Sequence, residues 1–475
     1  MKKSLELQEF DDYCKKVVDK HKIPGFTIGL ASYGEMFFER GYGYRNVKEK
    51  LPINSDTLFG IGSVTKSLTC VAIMQLQEQG NLSVHSPVTY YIPEFKTPNK
   101  EYTDKITIHH LMTHTTGIPP LATLYATLKR SILNDQDDYE YINIKQLEEL
   151  NSLPSIKSTE QLLSFMADQD YEFLGEPGKE FSYLNDGYAL LGIIIERVSG
   201  QSYESYLKSH ILSPLKMNHS VFYFEELAHY ENITTIYDSC VSNNKIEVFR
   251  SNNHWEGPPM IAAAFLKSTV NDMLKYAEIF RNNGKSGNVR ILKPESVEQM
   301  LTPFIECDVG KYYGYGLRII PDFFGYKLVG HGGAIKGSRT KMFVLPELNL
   351  TSIAFANLQT APTVELTTSA LTNFLGKGVK QSNIHLKEID VPLKKLKQYE
   401  GHYASQELMN IQIWVDNGKL TIKTAELPTT ELIPVNKDLF LLKLGAFREF
   451  IRFLRNSRGE VFRVLFMVRQ LTKLE

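Results

Sequence analysis

Cysteine is scarce in this chain. Cys14, Cys70, Cys240 and Cys307 are its four cysteines in 475 residues. They lie far apart, in no metal-ligand or redox spacing, and so few in a long chain build no disulfide framework. Net charge is nearly absent too: 53 Lys and Arg face 54 Asp and Glu, a formal -1. That gives no ground for nucleic acid or an anionic membrane as partner. Long apolar runs are missing, and no stretch approaches the roughly 18 apolar residues of a membrane span. Met1-Lys2-Lys3 imitates the start of a leader, but the apolar stretch of about 7–15 residues that export requires does not follow. A cytoplasmic chain is expected, with the mature form of a secreted one as the alternative. The sequence carries no nucleotide-binding loop and no metal-ligand cluster, so neither cofactor nor metal is expected. What is there, 43% hydrophobic and 23% charged residues, is the composition of an ordinary globular protein, long enough for two domains.

The periodicities divide the chain. Leu5, Leu7, Phe10, Tyr13, Val17 and Val18 mark an amphipathic first helix, stopped by Pro24-Gly25. "FTIGLAS" and "EMFFERGYGYRN" read as a hairpin across Tyr33-Gly34. Val64, Leu68, Val71, Ala72 and Leu76 form one stripe of a helix over 63–79, with Gly80 to end it. Further apolar helices are expected over 186–200 and 268–284. The polar segment 119–175, with its "NDQDDYEY" stretch, is expected to be partly helical and to lie over a cleft. "YKLVGHGG", "TKMFVLPE" and "LTSIAFAN" then read as three successive strands before a helix. Strands near both ends of residues 1–378 imply one antiparallel sheet closed by distant parts of the chain and flanked by helices. Residues 379–391 read as a linker. From 392 to 475, seven or eight short strands follow, with a hairpin turn at Asp416-Asn417-Gly418. That pattern fits a small all-β barrel, and the overall class is α+β.

The chemistry begins at "GIGSVTKSL". A serine hydroxyl is a poor nucleophile near neutral pH and needs a base within hydrogen-bond reach. Positions i and i+3 share a helix face, so Lys66 can turn its amine back toward Ser63. Burial can keep that amine neutral. The Ser63 N–H sits at a helix start, where negative charge is stabilised. Ser-x-x-Lys also occurs at Ser205/Lys208, Ser213/Lys216, Ser242/Lys245 and Ser338/Lys341, and alone the first pair reads equally as a helix start beside a solvated lysine. Its rivals have less to offer. Two sit among solvated lysines, one lies in a polar turn, and one enters a strand, where i and i+3 face opposite ways.

Two later segments weigh in. Tyr183 and Asn185, in "PGKEFSYLNDGY", precede an apolar helix. A phenol can share a proton with a serine–lysine pair, and an amide can orient a substrate or the lysine. They read also as a packed tyrosine and a helix cap. His331 and Gly333, in "VGHGGAIKG", end a strand whose glycines would admit a substrate along its edge. Ala334 N–H could complete an oxyanion hole with Ser63 N–H. A tight turn with an exposed histidine is the plainer alternative.

Ser63-Val64-Thr65-Lys66, Tyr183-Leu184-Asn185 and His331-Gly332-Gly333, in that order, together with "LMTHTTGI", "GEPGKEFSYLNDGYALLGIIIERVSG" and "LKSTVNDM", resemble the penicillin-recognising serine hydrolases. These comprise class C β-lactamases, D-alanyl-D-alanine carboxypeptidases, D-aminopeptidases and related esterases of the S12 peptidase type. The resemblance covers roughly residues 5–378, and residues 391–475 are similar to the lipocalin-like barrel of some members. It implies that Ser63 is acylated, that Lys66 and Tyr183 relay its proton, that Asn185 positions substrate, and that the strand from His331 binds it extended. The implied substrate is a small amide or ester, and first among these a peptide with D-residues. An esterase or weak β-lactamase of the same family is one alternative, a penicillin-binding sensor or scaffold with little turnover is another, and a homo-oligomer is allowed. One departure stands out. Most β-lactamases have Lys-Thr-Gly where this chain has His331-Gly332-Gly333, so the fixed charge that would meet a substrate carboxylate is missing.

Overall fold

The computed structural model describes residues 7–134, 144–242, 245–251, 254–424, 428–444 and 447–474. Its centre is a nine-stranded antiparallel sheet. Across the sheet the strands are Ile305–Asp308, Lys311–Tyr313, Arg318–Phe323, Tyr326–Ile335, Ser338–Leu345, Leu350–Ala356, Gly25–Ser32, Glu35–Asn46 and Leu51–Pro52. Distant parts of the chain close it as expected: Phe26 pairs with Ala356 and Ser32 with Leu350. Tight turns set the register. Gly337, at φ +64°, lies between Ile335 and its partner Ser338, and Asn349, at φ +51°, precedes Leu350.

The two faces of the sheet have separate cores. On one, Phe26, Ile28 and Leu30 pack with Phe10 and Val17 of the Gln8–Lys20 helix and with Leu366 and Ala370 of Thr363–Phe374. On the other lies the main core, which takes in Ile353, Phe355, the Val270–Arg281 helix and the helical region. At its middle is Thr65–Glu78, buried without interruption from Thr65 to Leu76. Each fully buried Leu, Ile or Val there stabilises the fold by about 1.5–3 kcal/mol, so this helix is a fixed platform. Asn185–Ser199 crosses beside it and ends at Gly200, at φ +70°.

Within 119–175 the structure has helices Thr123–Leu133, Ile144–Ser152 and Thr159–Ala167. Ala126, Leu128, Ile132, Leu162, Leu163 and Met166 are buried in the main core, so these helices are anchored in the molecule. The acidic stretch expected within it lies, from 135 on, outside the described residues.

Eight strands from Gly401–Ala404 to Arg469–Leu474 form a closed barrel, each pairing with the next and the last with the first. Asn417 and Gly418, both at positive φ, make the expected two-residue hairpin. Phe440 packs edge to face on Tyr399 and Phe453, and Tyr403 edge to face on Phe453, with the Tyr399 ring tilted against Phe453. The barrel docks on the rest of the chain through Arg463, which donates to Leu174 O at 2.7 Å, and Gln406, which donates to Asp170 O at 3.1 Å. Among the described residues no helix is long and apolar enough to cross a membrane.

Candidate active site

Ser63 lies in a 3-10 turn, Gly62–Val64, that leads into the Thr65–Glu78 helix. The turn is pressed against the Tyr326–Ile335 strand, and two glycines allow it. A Cβ on Gly333 would lie 1.9 Å from Ile61 O, and one on Gly62, itself at φ +54°, 2.7 Å from Ala334 N. The next strand ties the turn down, with Ser338 Oγ donating to Gly60 O at 2.7 Å and Thr340 Oγ1 to Ile61 O at 2.8 Å. On its other side the Tyr326–Ile335 strand pairs with Arg318–Phe323 only as far as Gly330. From His331 on, no strand among the described residues pairs with that edge, and the Ser63 turn stands beside it.

Lys66 is wholly buried. Its Nζ stands 3.3 Å from Ser63 Oγ, 2.9 Å from Asn185 Oδ1 and 2.8 Å from Ala263 O. Burial pushes its pKa well below 10.5; the nearby Arg469 charge adds to the push and Glu407 opposes it. None of the other Ser-x-x-Lys pairs shows such a contact among the described side chains. Ser205, Lys208, Ser213 and Lys216 are exposed, and Ser338 is bonded to Gly60. The polar turn between Ser242 and Lys245 lies outside the described residues.

Tyr183 is buried at the same place, its ring centroid 4.9 Å from Lys66 Nζ and 4.1 Å from the tilted ring of His114. Its hydroxyl makes no hydrogen bond among the described residues, though Ser63 is close enough to act on its acidity. Burial raises the phenol to about 12, against the pull of Ser63 and Arg469. Asn185, the first residue of its helix, joins Lys66 to the opposite wall: its Nδ2 donates to Glu407 Oε1 at 2.7 Å.

His331 takes a different place from its neighbours. Its Nδ1 lies 2.6 Å from Gly332 O, which can only accept, so Nδ1 carries the proton and Nε2 accepts from Tyr313 Oη at 2.9 Å. Burial, with the charges of Arg318 and Lys66, holds its pKa well below 6.5. The histidine is therefore neutral, buried and turned to Tyr313. It supplies no charge for a substrate anion, and it is not the exposed turn residue of the plainer reading.

What the barrel adds to the site leaves no mark in the local sequence pattern. The turn between strands Val461–Phe466 and Arg469–Leu474 enters the cleft. Val468 O accepts from Tyr183 N at 2.9 Å, and Val468 packs with Phe181, Tyr183 and Tyr313. Arg469 lies 5.1 Å over the Tyr183 ring and pairs with Glu407 through its Nε. A guanidinium and a carboxylate, both from the barrel, thus stand beside the serine, lysine and phenol. His114 was visible only within "LMTHTTGI"; its Nδ1 accepts from Leu184 N at 3.1 Å and sets the approach to Asn185. Among the described residues no group of His, Cys, Asp and Glu is arranged to hold a metal.

This chemistry has parallels in known proteins. The Beta-lactamase family pattern matches residues 10–372. Protein flp of Staphylococcus aureus (strain MW2) is 32% identical over 217 residues, 45% of this chain and 38% of that protein. The chain therefore spans well under half the length of these flp relatives. The human serine beta-lactamase-like protein LACTB, mitochondrial, is 28% identical over 403 residues, 71% of each chain. The structure of the octameric penicillin-binding protein homologue from Pyrococcus abyssi superposes with TM-score 0.67 at 28% identity, covering 98% of this chain and 100% of that one. A D-stereospecific amidohydrolase from Streptomyces sp. has the same fold, at TM-score 0.60 and 21% identity over 78% of this chain and 98% of its own.

Proposed function

The chain belongs to the beta-lactamase family, and on that premise we propose that it is a serine hydrolase that forms an acyl-enzyme on Ser63 and cleaves small amides and peptides containing D-residues. The observation that carries this reading is the buried Lys66 amine, 3.3 Å from Ser63 Oγ and held by two fixed acceptors. As Oγ attacks the scissile carbonyl, its proton passes to the Lys66 lone pair. Tyr183, protonated because its pKa is about 12, hands a proton to the leaving nitrogen and is refilled from Lys66. Water then attacks the acyl-enzyme by the same route reversed. The N–H groups of Ser63 and Ala334 hold the developing oxyanion. Asn185 orients the lysine and faces the substrate. Gly333 lets the acyl chain lie along the free edge that begins at His331.

In this reading residues 1–378 form the hydrolase unit, 379–391 the connection and 392–475 the barrel unit. The amide preference follows the D-stereospecific amidohydrolase that shares the fold. The neutral His331 weighs against efficient turnover of carboxylate-bearing β-lactams and favours an esterase as the second reading. The octamer described for the Pyrococcus abyssi homologue suggests a homo-oligomer here, which light scattering would measure.

The test is a panel of D-amino-acid amides, D-peptides, short-chain p-nitrophenyl esters, a chromogenic cephalosporin and a fluorescent penicillin, run on wild type and Ser63→Ala. Hydrolysis is expected to fall at least about a thousandfold in the variant. Equal rates in both would remove Ser63 as nucleophile. Stable penicillin labelling without turnover of any compound would leave a penicillin-binding sensor in its place.

A further inference from the structure

The barrel residue Glu407 makes a contact that its ion pair with Arg469 does not require. We propose that Glu407 is a positioning residue for the Ser63–Lys66 pair: by accepting from Asn185 Nδ2 it fixes which end of the Asn185 amide faces Lys66, and so which way the lysine lone pair points. The inference rests on the reading of Lys66 as the base for Ser63.

The argument is a count of hydrogens. A neutral amine has two N–H donors and one lone pair. Around Lys66 Nζ stand two oxygens with a fixed accepting role, Asn185 Oδ1 at 2.9 Å and Ala263 O at 2.8 Å, and one hydroxyl, Ser63 Oγ at 3.3 Å. Two hydrogens go to the two acceptors, and the lone pair is left for the serine. The carbonyl of Ala263 cannot reverse. The amide of Asn185 can, because its two ends have nearly the same shape. Reversed, its NH2 would face the amine, donor against donor. Lys66 would then have to turn its lone pair to the amide and away from Ser63.

Glu407 removes that alternative. A carboxylate only accepts, so Oε1 at 2.7 Å demands the NH2 end of Asn185. The carboxylate is itself held. It is 7% exposed, and burying it is costly unless it is paired; Arg469 supplies the pair through Nε and, at 3.3 Å, Nη2. The short segment that carries it, between strands Gly401–Ala404 and Asn410–Asp416, is closed by Ser405 N donating to Met409 O at 3.0 Å. It is also tied to the other wall by Gln406. The path therefore runs from a barrel loop through one amide to the amine.

The test is a double-mutant cycle, Glu407→Ala, Asn185→Ala and both together. Turnover of p-nitrophenyl acetate and labelling of Ser63 by a fluorophosphonate are measured in each. Glu407→Ala is expected to lower kcat and the labelling rate about tenfold, with KM changed less than about twofold. In the Asn185→Ala background the same change is expected to do nothing more. A loss of equal size in both backgrounds, or one confined to KM, overturns the proposal. Circular dichroism and thermal melting report folding. Should Glu407→Ala not fold with Arg469 left unpaired, Glu407→Gln replaces it in the same cycle, since an amide accepts or donates and the lock is lost while the shape is kept. If wild type and Ser63→Ala react alike, the hydrolase reading falls and takes this one with it. If wild type depends on Ser63 and the cycle is additive, only this one falls.

Discussion

Burial moves the Lys66 amine and the Tyr183 phenol in opposite directions, as the proposed proton relay requires. Burial lowers the amine well below 10.5 and raises the phenol to about 12, so over a wide range one is free to accept and the other to donate. The rate is expected to rise as pH climbs through the lowered pKa of Lys66. It should then stay level to about pH 10, since Tyr183 keeps its proton there; a pH–rate profile of ester turnover checks this. Lys66→Arg fixes the charge and is expected to cost at least about a thousandfold. Asp186, the next residue after Asn185, tests the same logic on stability. It is buried, its Oδ1 has no partner among the described residues, and burial raises its carboxyl to about 7. Between about pH 4 and 7 the folded chain binds one proton more than the unfolded chain, whose Asp pKa is about 3.9. Stability from this group therefore falls as pH rises through that window, and the penalty is complete above it. Asp186→Asn is expected to raise the melting temperature by at least about 3 °C at pH 8, with little change at pH 4, as thermal melts in the two buffers would show.

At the scale of elements, the site depends on how closely a turn can approach a strand edge. Gly333→Ala would place a methyl group 1.9 Å from Ile61 O, and backbone must move to admit it. Because a displacement of about 1 Å can cost a hundredfold in rate, that loss is expected in Ser63 labelling, together with a lower melting temperature. The barrel turn shows the opposite tension. Phe466 pairs with Arg469 across Met467 and Val468, both at positive φ, where Asn-Gly is the usual choice. A β-branched residue there is strained, and Val468 is held by its packing on Tyr183. This explains what could be read in advance. Ser63 and Lys66 are one helical turn apart, so a local pattern brings them together; Tyr183-x-Asn185 precedes an apolar helix, but the same spacing recurs at Tyr44, Tyr141 and Tyr230 and alone singles nothing out. The 469–474 strand, "RQLTKL", has neither the aromatics nor the β-branched run that mark its neighbours. Alternation along a strand tells inward from outward, not which outward residue meets another part of the chain. Arg469 was silent for that reason and Glu407 because it lies in the segment between two strands; the hydroxyl that turns His331 aside comes from Tyr313, 18 positions away.

For the whole molecule, the barrel is bound into the hydrolase core by backbone and side chain together. Tyr183 N donates to Val468 O, Gln470 N donates to Ser182 Oγ at 3.2 Å, and Arg463 reaches Leu174 O. An interface that shares buried aromatics and backbone bonds couples the unfolding of both parts. Calorimetry is expected to give one endotherm for the wild type. Val468→Asp places a carboxylate among Phe181, Tyr183 and Tyr313 without a partner, and is expected to separate the barrel's transition from the rest while reducing ester turnover. The barrel's first and last strands are hydrogen-bonded to each other; Glu407 follows the first and Arg469 opens the last. A ribosome making this protein releases the serine and the lysine hundreds of residues before the arginine. The growing polypeptide thus carries its reactive alcohol early and receives the parts that frame it only once Arg469 has been added.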